Sequence, residues 1–511
     1  MADKPNSRYC LAALVLLLLL ICSSTMGKII YVDDDAAGAN NGSSWVNAYV
    51  YLQDALANAN SAEKPIEIRV AQGVYTPDQG AGITRGDRRA AFQLINSVTV
   101  LGGFAGIGAI EPDDRNIETY KTILSGDLAG DDAEIDNPDE SFGHPTRAEN
   151  SDTVVRGDET DQTAMLDGVT ITAGSTGLGN GDGSPSVNNC TFANASTGIF
   201  NLDSSQRLTN CTFKGLWGDA IYQFSGSLTL NNCMFTGNTG GAIDCSLHAE
   251  LTLRDCTFIA NELSLPIISC FKQKNLRMYN CVFKNNIINF IAGVRVRVDE
   301  EFVADNCIFA GNVGTPILLH GGPMVISNCA FVGNIGGFFS GGIFSESPDT
   351  TIQNCTFSGN SSDHDSSALD LQEGGNVSNC IFWDNSQPAI DSRHQEPFVK
   401  YCNVQGGWPG DGNIDVDPFF VSSGYWDQND TPDDTTDDFW VDGDYHLKSE
   451  AGRWDPVSES WVLDDVTSPC IDAGDPLTPV MYEPHPRGCF INMGAYGGTE
   501  KASKSYNDES S

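Results

Sequence analysis

The chain has 511 residues, with 28 Lys and Arg against 68 Asp and Glu, a formal net charge of −40. Forty per cent of it is hydrophobic, enough for a large core and too much for wholesale disorder. Acidity on this scale excludes nucleic acid and anionic membrane surfaces as partners, since both are held through Lys and Arg. Metal cations and neutral or basic polymers stay open.

In chain order, residues 1–27 read as a cleavable secretory signal. Lys4 and Arg8 supply the basic start, and Leu11 to Ile21 is an unbroken apolar run, too short to span a ~30 Å hydrocarbon core. Small and polar residues follow, and cleavage is expected after Ser24 or Gly27. Cys22 invites a lipid anchor, but Ile21 stands where lipidation needs a small residue. The expectation is therefore export, with no transmembrane anchor after signal cleavage. Residues 28–65 form an expected N-terminal cap. There Leu52, Ala55, Leu56 and Ala59 make an i, i+3, i+4, i+7 stripe on a short helix. From 66 onward come short alternating segments such as Val98-Thr99-Val100, interrupted at 127–152 by a polar acidic insertion.

A repeat dominates the centre. Cysteines at 190, 211, 233, 256, 281, 307, 329, 355, 380 and 402 are 21 to 26 residues apart. Phe stands two after the cysteine in nine of the ten copies, with Val404 in the last. Asn stands just before it in eight, with Asp255 and Tyr401 in the others. Asn also stands five after it in seven copies, among them Asn238, Asn261, Asn312 and Asn360. Cys and Phe two apart share one face of a strand. Apolar residues five and three before the cysteine, such as Leu228 and Leu230, belong to a second strand. The intervening Asn has the parity of the buried positions. A bend there resolves the conflict, because Asn tolerates the left-handed conformation. A third apolar patch follows about ten residues later, as Gly-Gly-Ala-Ile at 240–243 and Ser-Ala-Leu at 367–369. Three short strands per turn without helical periodicity describe a parallel β-helix over residues 66–410. A leucine-rich repeat lacks its Leu framework here, and a propeller needs four strands per ~40 residues.

After 403 the period fades. Residues 411–511 hold an acidic insertion, with ten Asp between 415 and 444, and an irregular C-terminal cap. The ten repeat cysteines are expected to form a ladder of buried thiols acting as small hydrophobes. Cys470 and Cys489 are the expected pair if any disulfide forms, and no Cys/His grouping suits zinc.

Specific motifs carry a resemblance. They are Ile30-Tyr31-Val32-Asp33, Leu52-Gln53-Asp54-Ala55-Leu56, Val70-Ala71-Gln72-Gly73-Val74-Tyr75, Asn413-Ile414-Asp415-Val416-Asp417-Pro418, Ser468-Pro469-Cys470-Ile471-Asp472-Ala473-Gly474 and Asn492-Met493-Gly494-Ala495-Tyr496-Gly497. With the repeat, they make the chain similar to right-handed parallel β-helix proteins of the pectin-lyase-like superfamily, and to large secreted proteins of planctomycete-type bacteria. The resemblance implies an all-β, right-handed parallel β-helix. Such chains are often named pectate lyases, on fold analogy. The resemblance also implies chemistry on the outer face of a strand sheet, by a base for β-elimination or by paired carboxylates for hydrolysis. The galacturonan-hydrolase cluster and the arginine pattern of familiar pectate lyases are both missing from this sequence.

One acid pair follows from strand parity. Leu369 and Leu371 point inward, so Asp370 points outward, and one turn later Ile390 puts Asp391 and Arg393 on the same face. Asp370, Asp391 and Arg393 are thus the expected catalytic group, with a solvated acidic ladder as the plainer reading. Asp427, Asn429, Asp430 and Asp433, followed by Asp434, are hard oxygen ligands suited to Ca²⁺ on a loop without EF-hand spacing. A solvated turn is the alternative. Three functions remain open: a secreted or cell-surface binding or structural solenoid engaging polysaccharide, a polysaccharide lyase or hydrolase, and a calcium-assisted surface-layer or adhesin component. Oligomeric state is open too.

Overall fold

The chain turns where the sequence places asparagine. A computed structural model describes residues 27–506 except 134, 136, 137, 142, 364, 365, 387, 432–437 and 481. The expected signal thus lies outside the described residues, save for Gly27. In this structure the residue before every ladder cysteine has a positive φ, from 51° at Asn328 to 56° at Asn280. Asp255 (55°) and Tyr401 (49°) follow suit where Asn is replaced. The bend separates two short strands, such as Gly226–Asn231 from Met234–Thr236 and Glu250–Arg254 from Thr257–Ile259. Side chains at this corner bond from rung to rung: Asn210 Nδ2 donates to Asn189 Oδ1 at 3.0 Å, and Asn232 to Asn210 at 2.9 Å.

The second corner is a buried ladder. Asn238, Asn261, Asn286, Asn312, Asn334 and Asn360 each donate from Nδ2 to the Oδ1 of the next asparagine at 2.8–3.0 Å, the last to Asn385. The same amides donate to a Phe carbonyl of the preceding rung, as Asn312 does to Phe283 O at 2.9 Å. Their Oδ1 atoms in turn accept backbone N–H groups, so the corner buries its polar atoms with partners.

Inside, nine phenylalanines from Phe192 to Phe382 stack with centroids 4.6–5.0 Å apart and nearly parallel planes. The ten ladder cysteines are buried and free. Burial pushes thiols such as Cys307 and Cys329 well above their ordinary pKa. All pairings along the solenoid strands are parallel, in three ladders. One is a 13-stranded sheet. The other two merge into a 27-stranded sheet, because Ile268–Tyr279 and Ile287–Asp305 run unbroken through the corner between them.

At the N-terminal end, Lys28–Val32 pairs with Ile66–Ala71 and is already a rung. Helix Leu52–Ser61 lays the expected Leu52, Ala55, Leu56 and Ala59 onto the core. No helix among the described residues is long and apolar enough to cross a membrane. The C-terminal segment does more than cap the end: it folds back along the 13-stranded sheet. Trp440 and Tyr445 pack on Ala310, Ala330 and Val332, Trp426 Nε1 donates to Gly333 O at 3.0 Å, and Asn328 Nδ2 reaches Gly497 O at 2.8 Å. The conditional Cys470–Cys489 disulfide is not formed. Cys470 is buried among Ile381, Leu447 and Met493, whereas Cys489 is exposed, and both are free.

Candidate functional site

The third strand of each turn exposes one continuous row. Ile199, Ile221, Ile243, Ile268 and Val294 are buried. Alternation therefore turns the residue after each of them outward. The register joins Phe200 to Tyr222, Tyr222 to Asp244, Asp244 to Ser269 and Ser269 to Arg295, each about 4.8 Å from the last. It continues through Leu318 and Phe344 to Asp370 and Asp391.

The expected acid pair lies on this row, and Asp370 and Asp391 are register partners. Their surroundings differ from the expectation of a solvated face. Asp370 is only 1% exposed, in line with Leu318 and Phe344, which are buried with Ala292 and packed by Phe339. Gln372 donates its amide to Asp370 Oδ1. Asp391 is half-buried and accepts from Ser392 N at 2.8 Å, while Arg393 is exposed on the segment that follows. The apolar row removes water from one member of the pair. Parity placed that residue on the outer face, but parity carries no information about what covers the face.

Of the expected calcium ligands, Asp427 ends strand Tyr425–Asp427 and accepts from Asn429 N at 3.0 Å. Asn429 and Asp430 turn the chain with φ of 48° and 60°. Asp433, like Asp434, lies outside the described residues. Among the described residues, the acidic triads close enough to share one ion are Asp33–Asp34–Asp35 and Asp127–Asp131–Glu149.

The row's N-terminal half is open. Phe200 is 41% exposed, and its ring stacks on Tyr222 at 5.2 Å with planes 10° apart. Rings stacked along the solenoid present their edges outward, so the face that matters is the far side of Phe200. There the register partner is Gly179, and the rung before it carries Arg156. Gly179 has no side chain to cover the ring. A carbon added to it would meet only Thr153, at 3.3 Å. The result is a slot one rung wide, with an aromatic wall and a backbone floor, and with Arg156 as the outward residue of the rung beyond it.

On the other side of Tyr222 stand two carboxyls. Asp219, at the corner before strand Ile221–Gln223, leans over Gly241, where a side-chain carbon would lie 2.4 Å from its Oδ1. Burial, then the neighbouring Asp244, pushes the Asp219 pKa up to about 6. Burial also raises that of Asp244, partly offset by the Ser269 hydroxyl hydrogen-bonded to it. Arg295 follows, its guanidinium 5.5 Å from the Phe271 ring. Parity at Ile243, in the Gly-Gly-Ala-Ile patch, places Asp244 outward, and Phe200 and Tyr222 are one turn length apart. These signals are present in the sequence but lack the Asn-Cys marker that makes the other two strands conspicuous.

A cavity of about 250 Å³ opens at the corner leading into this sheet, where Arg147 and Asn150 of the acidic insertion face Ser175, Ser196 and Trp217. The Arg147 guanidinium lies 5.2 Å from the Trp217 ring centre.

A family model described as a right handed beta helix region matches residues 155–292 and 285–414. A second, described as disaggregatase related, matches residues 410–474. No curated protein matches the chain. Among solved structures, pectate lyase Pel9A aligns at 16% identity over 92% of this chain and 96% of its own, with a TM-score of 0.39. XylC in complex with xylose aligns at 10% identity over 79% and 88%, also with a TM-score of 0.39. The mannuronan C-5 epimerase AlgE6 A-module of Azotobacter vinelandii aligns at 10% identity over 72% and 93%, with a TM-score of 0.35.

Proposed function

The chain belongs to the right-handed β-helix family, and on that premise we propose that it is an exported protein that binds polysaccharide on the outer face of its third sheet. The observation that carries this reading is the slot at Gly179, where one face of Phe200 lies uncovered and Arg156 is the outward residue of the rung beyond. A sugar ring stacks its C–H face on an aromatic wall, and a guanidinium pairs with the carboxylate of a uronate. Tyr222, Asp244, Ser269 and Arg295 then offer donors and acceptors in single-rung steps along the solenoid axis, the direction in which a linear polymer can extend. Phe200→Ala removes the wall while leaving the core untouched. It is expected to weaken binding to the preferred polymer of a panel including polygalacturonate by about tenfold or more, since truncating a central aromatic anchor costs upward of ~1 kcal/mol. Unchanged affinity in a folded variant contradicts the reading. N-terminal sequencing of protein recovered from the culture medium tests export and its cleavage point.

A second reading, cleavage of the bound polymer, draws on Asp219 and Asp244. A carboxyl that holds its proton to about pH 6 beside a second carboxyl suits general acid and base work near neutrality. Absorbance at 235 nm reports β-elimination, and new reducing ends without it report hydrolysis. Either signal is expected to disappear in Asp219→Asn. Asp391→Asn in the same assay tests the Asp370/Asp391/Arg393 pair. Activity that survives Asp219→Asn and is lost in Asp391→Asn moves the chemistry to that pair.

A further inference from the structure

The insertion at 127–152 gathers oxygens that the protein itself does not satisfy. Ligand oxygens of Asp127, Asp131 and Glu149 all lie within 4.8 Å of one another, about the separation of two oxygens across a cation bound at ~2.4 Å. Asn150 is 4% exposed. Its Nδ2 donates to Asp132 Oδ2 at 2.9 Å, while its Oδ1 is buried with no hydrogen-bond partner among the described residues. Asp132 Oδ1 and Glu149 Oε1 are likewise buried with no donor among the described residues. Among the described residues one basic group answers these carboxylates, Arg147 at 3.5 Å from Asp132, and that guanidinium also lies near Trp217 and donates to Asn194 O. A buried anionic oxygen without a hydrogen-bond donor is costly, and a single guanidinium shared with other partners offsets several carboxylates only in part, so a cation relieves the remainder.

The first acidic triad is a useful contrast. Asp33 gives one carboxylate oxygen to Asp35 N and the other to Ile107 N, so its acceptors are already used by the fold. In the insertion Asp127 also accepts, from the N–H groups of Gly130, Asp131 and Asp132, but Asp132 Oδ1, Glu149 Oε1 and Asn150 Oδ1 are buried with no donor among the described residues.

We propose that Asp127, Asp131, Asp132, Glu149 and Asn150 form a Ca²⁺ site that fastens the insertion to the solenoid corner and thereby fixes the wall of the Trp217 cavity. Oxygen-only ligation rich in carboxylates suits Ca²⁺, whose flexible coordination tolerates side chains drawn from two ends of a loop. Mg²⁺ demands stricter octahedral geometry and keeps more water. The site shares no residue with the expected Asp427, Asn429, Asp430 and Asp433 ligands and is independent of the polysaccharide reading.

The test is calorimetric titration of the full EDTA-stripped chain with Ca²⁺, with melting followed in parallel. The expected result is saturable binding and a melting midpoint that rises with Ca²⁺, with a smaller response to Mg²⁺. Glu149→Gln and Asp131→Asn are each expected to weaken binding by about tenfold or more. The double variant Asp427→Asn/Asp430→Asn should leave it unchanged. Asp131 is exposed, so Asp131→Asn reports on the site even where Glu149→Gln fails to fold. No heat and an unmoved midpoint overturn the proposal. So does full affinity in Asp131→Asn, or loss of binding in the Asp427/Asp430 variant alone.

Discussion

Asparagine serves two opposite purposes one strand apart, and the difference sets what each copy can tolerate. Before the cysteine it turns the backbone left-handed at a corner that glycine adopts without steric cost. Five residues after the cysteine it is buried, with its amide hydrogens and Oδ1 all engaged. Asn306→Gly is therefore expected to change stability by less than ~1 kcal/mol. Asn312→Ala leaves a Phe carbonyl and a backbone N–H without partners and is expected to cost on the order of 2–4 kcal/mol. Paired melts of the two variants check this, and equal losses would contradict it. The first role is legible in the sequence, because Asn has the wrong parity for a continuous strand. The second shows in the sequence only as a recurring letter, since burial of an amide depends on neighbouring rungs supplying its partners. Asp370 illustrates the same limit from outside. Strand parity fixes its direction, whereas its burial belongs to a face lined by Leu318 and Phe344 and packed by Phe339.

At the scale of elements, the strands and their register follow from local pattern, but the C-terminal segment does not. It has no repeat to align, and its contacts join residues as far apart as Asn328 and Gly497. One of its buried groups gives that docking a pH signature. Glu483 is 4% exposed and accepts from Asn492 N and Gly498 N at 2.8 Å each. Burial pushes its pKa up to about 7, from 4.5. The folded chain thus holds a proton between about pH 4.5 and 7 that the unfolded chain has released. Over that window stability falls as pH rises, then levels off above 7. Asp219, raised to about 6, acts with the same sign at the acidic end of the window. The melting midpoint is expected to drop between pH 5 and 8, and Glu483→Gln should flatten most of that drop. A slope unchanged in the variant would place the titration elsewhere.

Across the whole molecule, the solenoid divides its outer surface. The C-terminal segment lies on the 13-stranded sheet, and the third sheet is apolar and buried around Leu318 and Phe344. The stretch from Arg156 to Arg295 is left as an ordered, half-open polar and aromatic row, with the acidic insertion walling the corner that leads into it. The polysaccharide reading makes a specific geometric demand here: the absent side chain at Gly179 must matter. Its backbone φ is not positive, and an added Cβ meets only Thr153, so a larger residue fits the strand while filling the slot. The decisive measurement is the affinity of the Gly179→Leu chain for the polymer that the unaltered chain binds best. A folded variant with its melting midpoint kept and its binding reduced by about tenfold or more is the predicted result. Undiminished binding with the slot filled would contradict the assignment of this face.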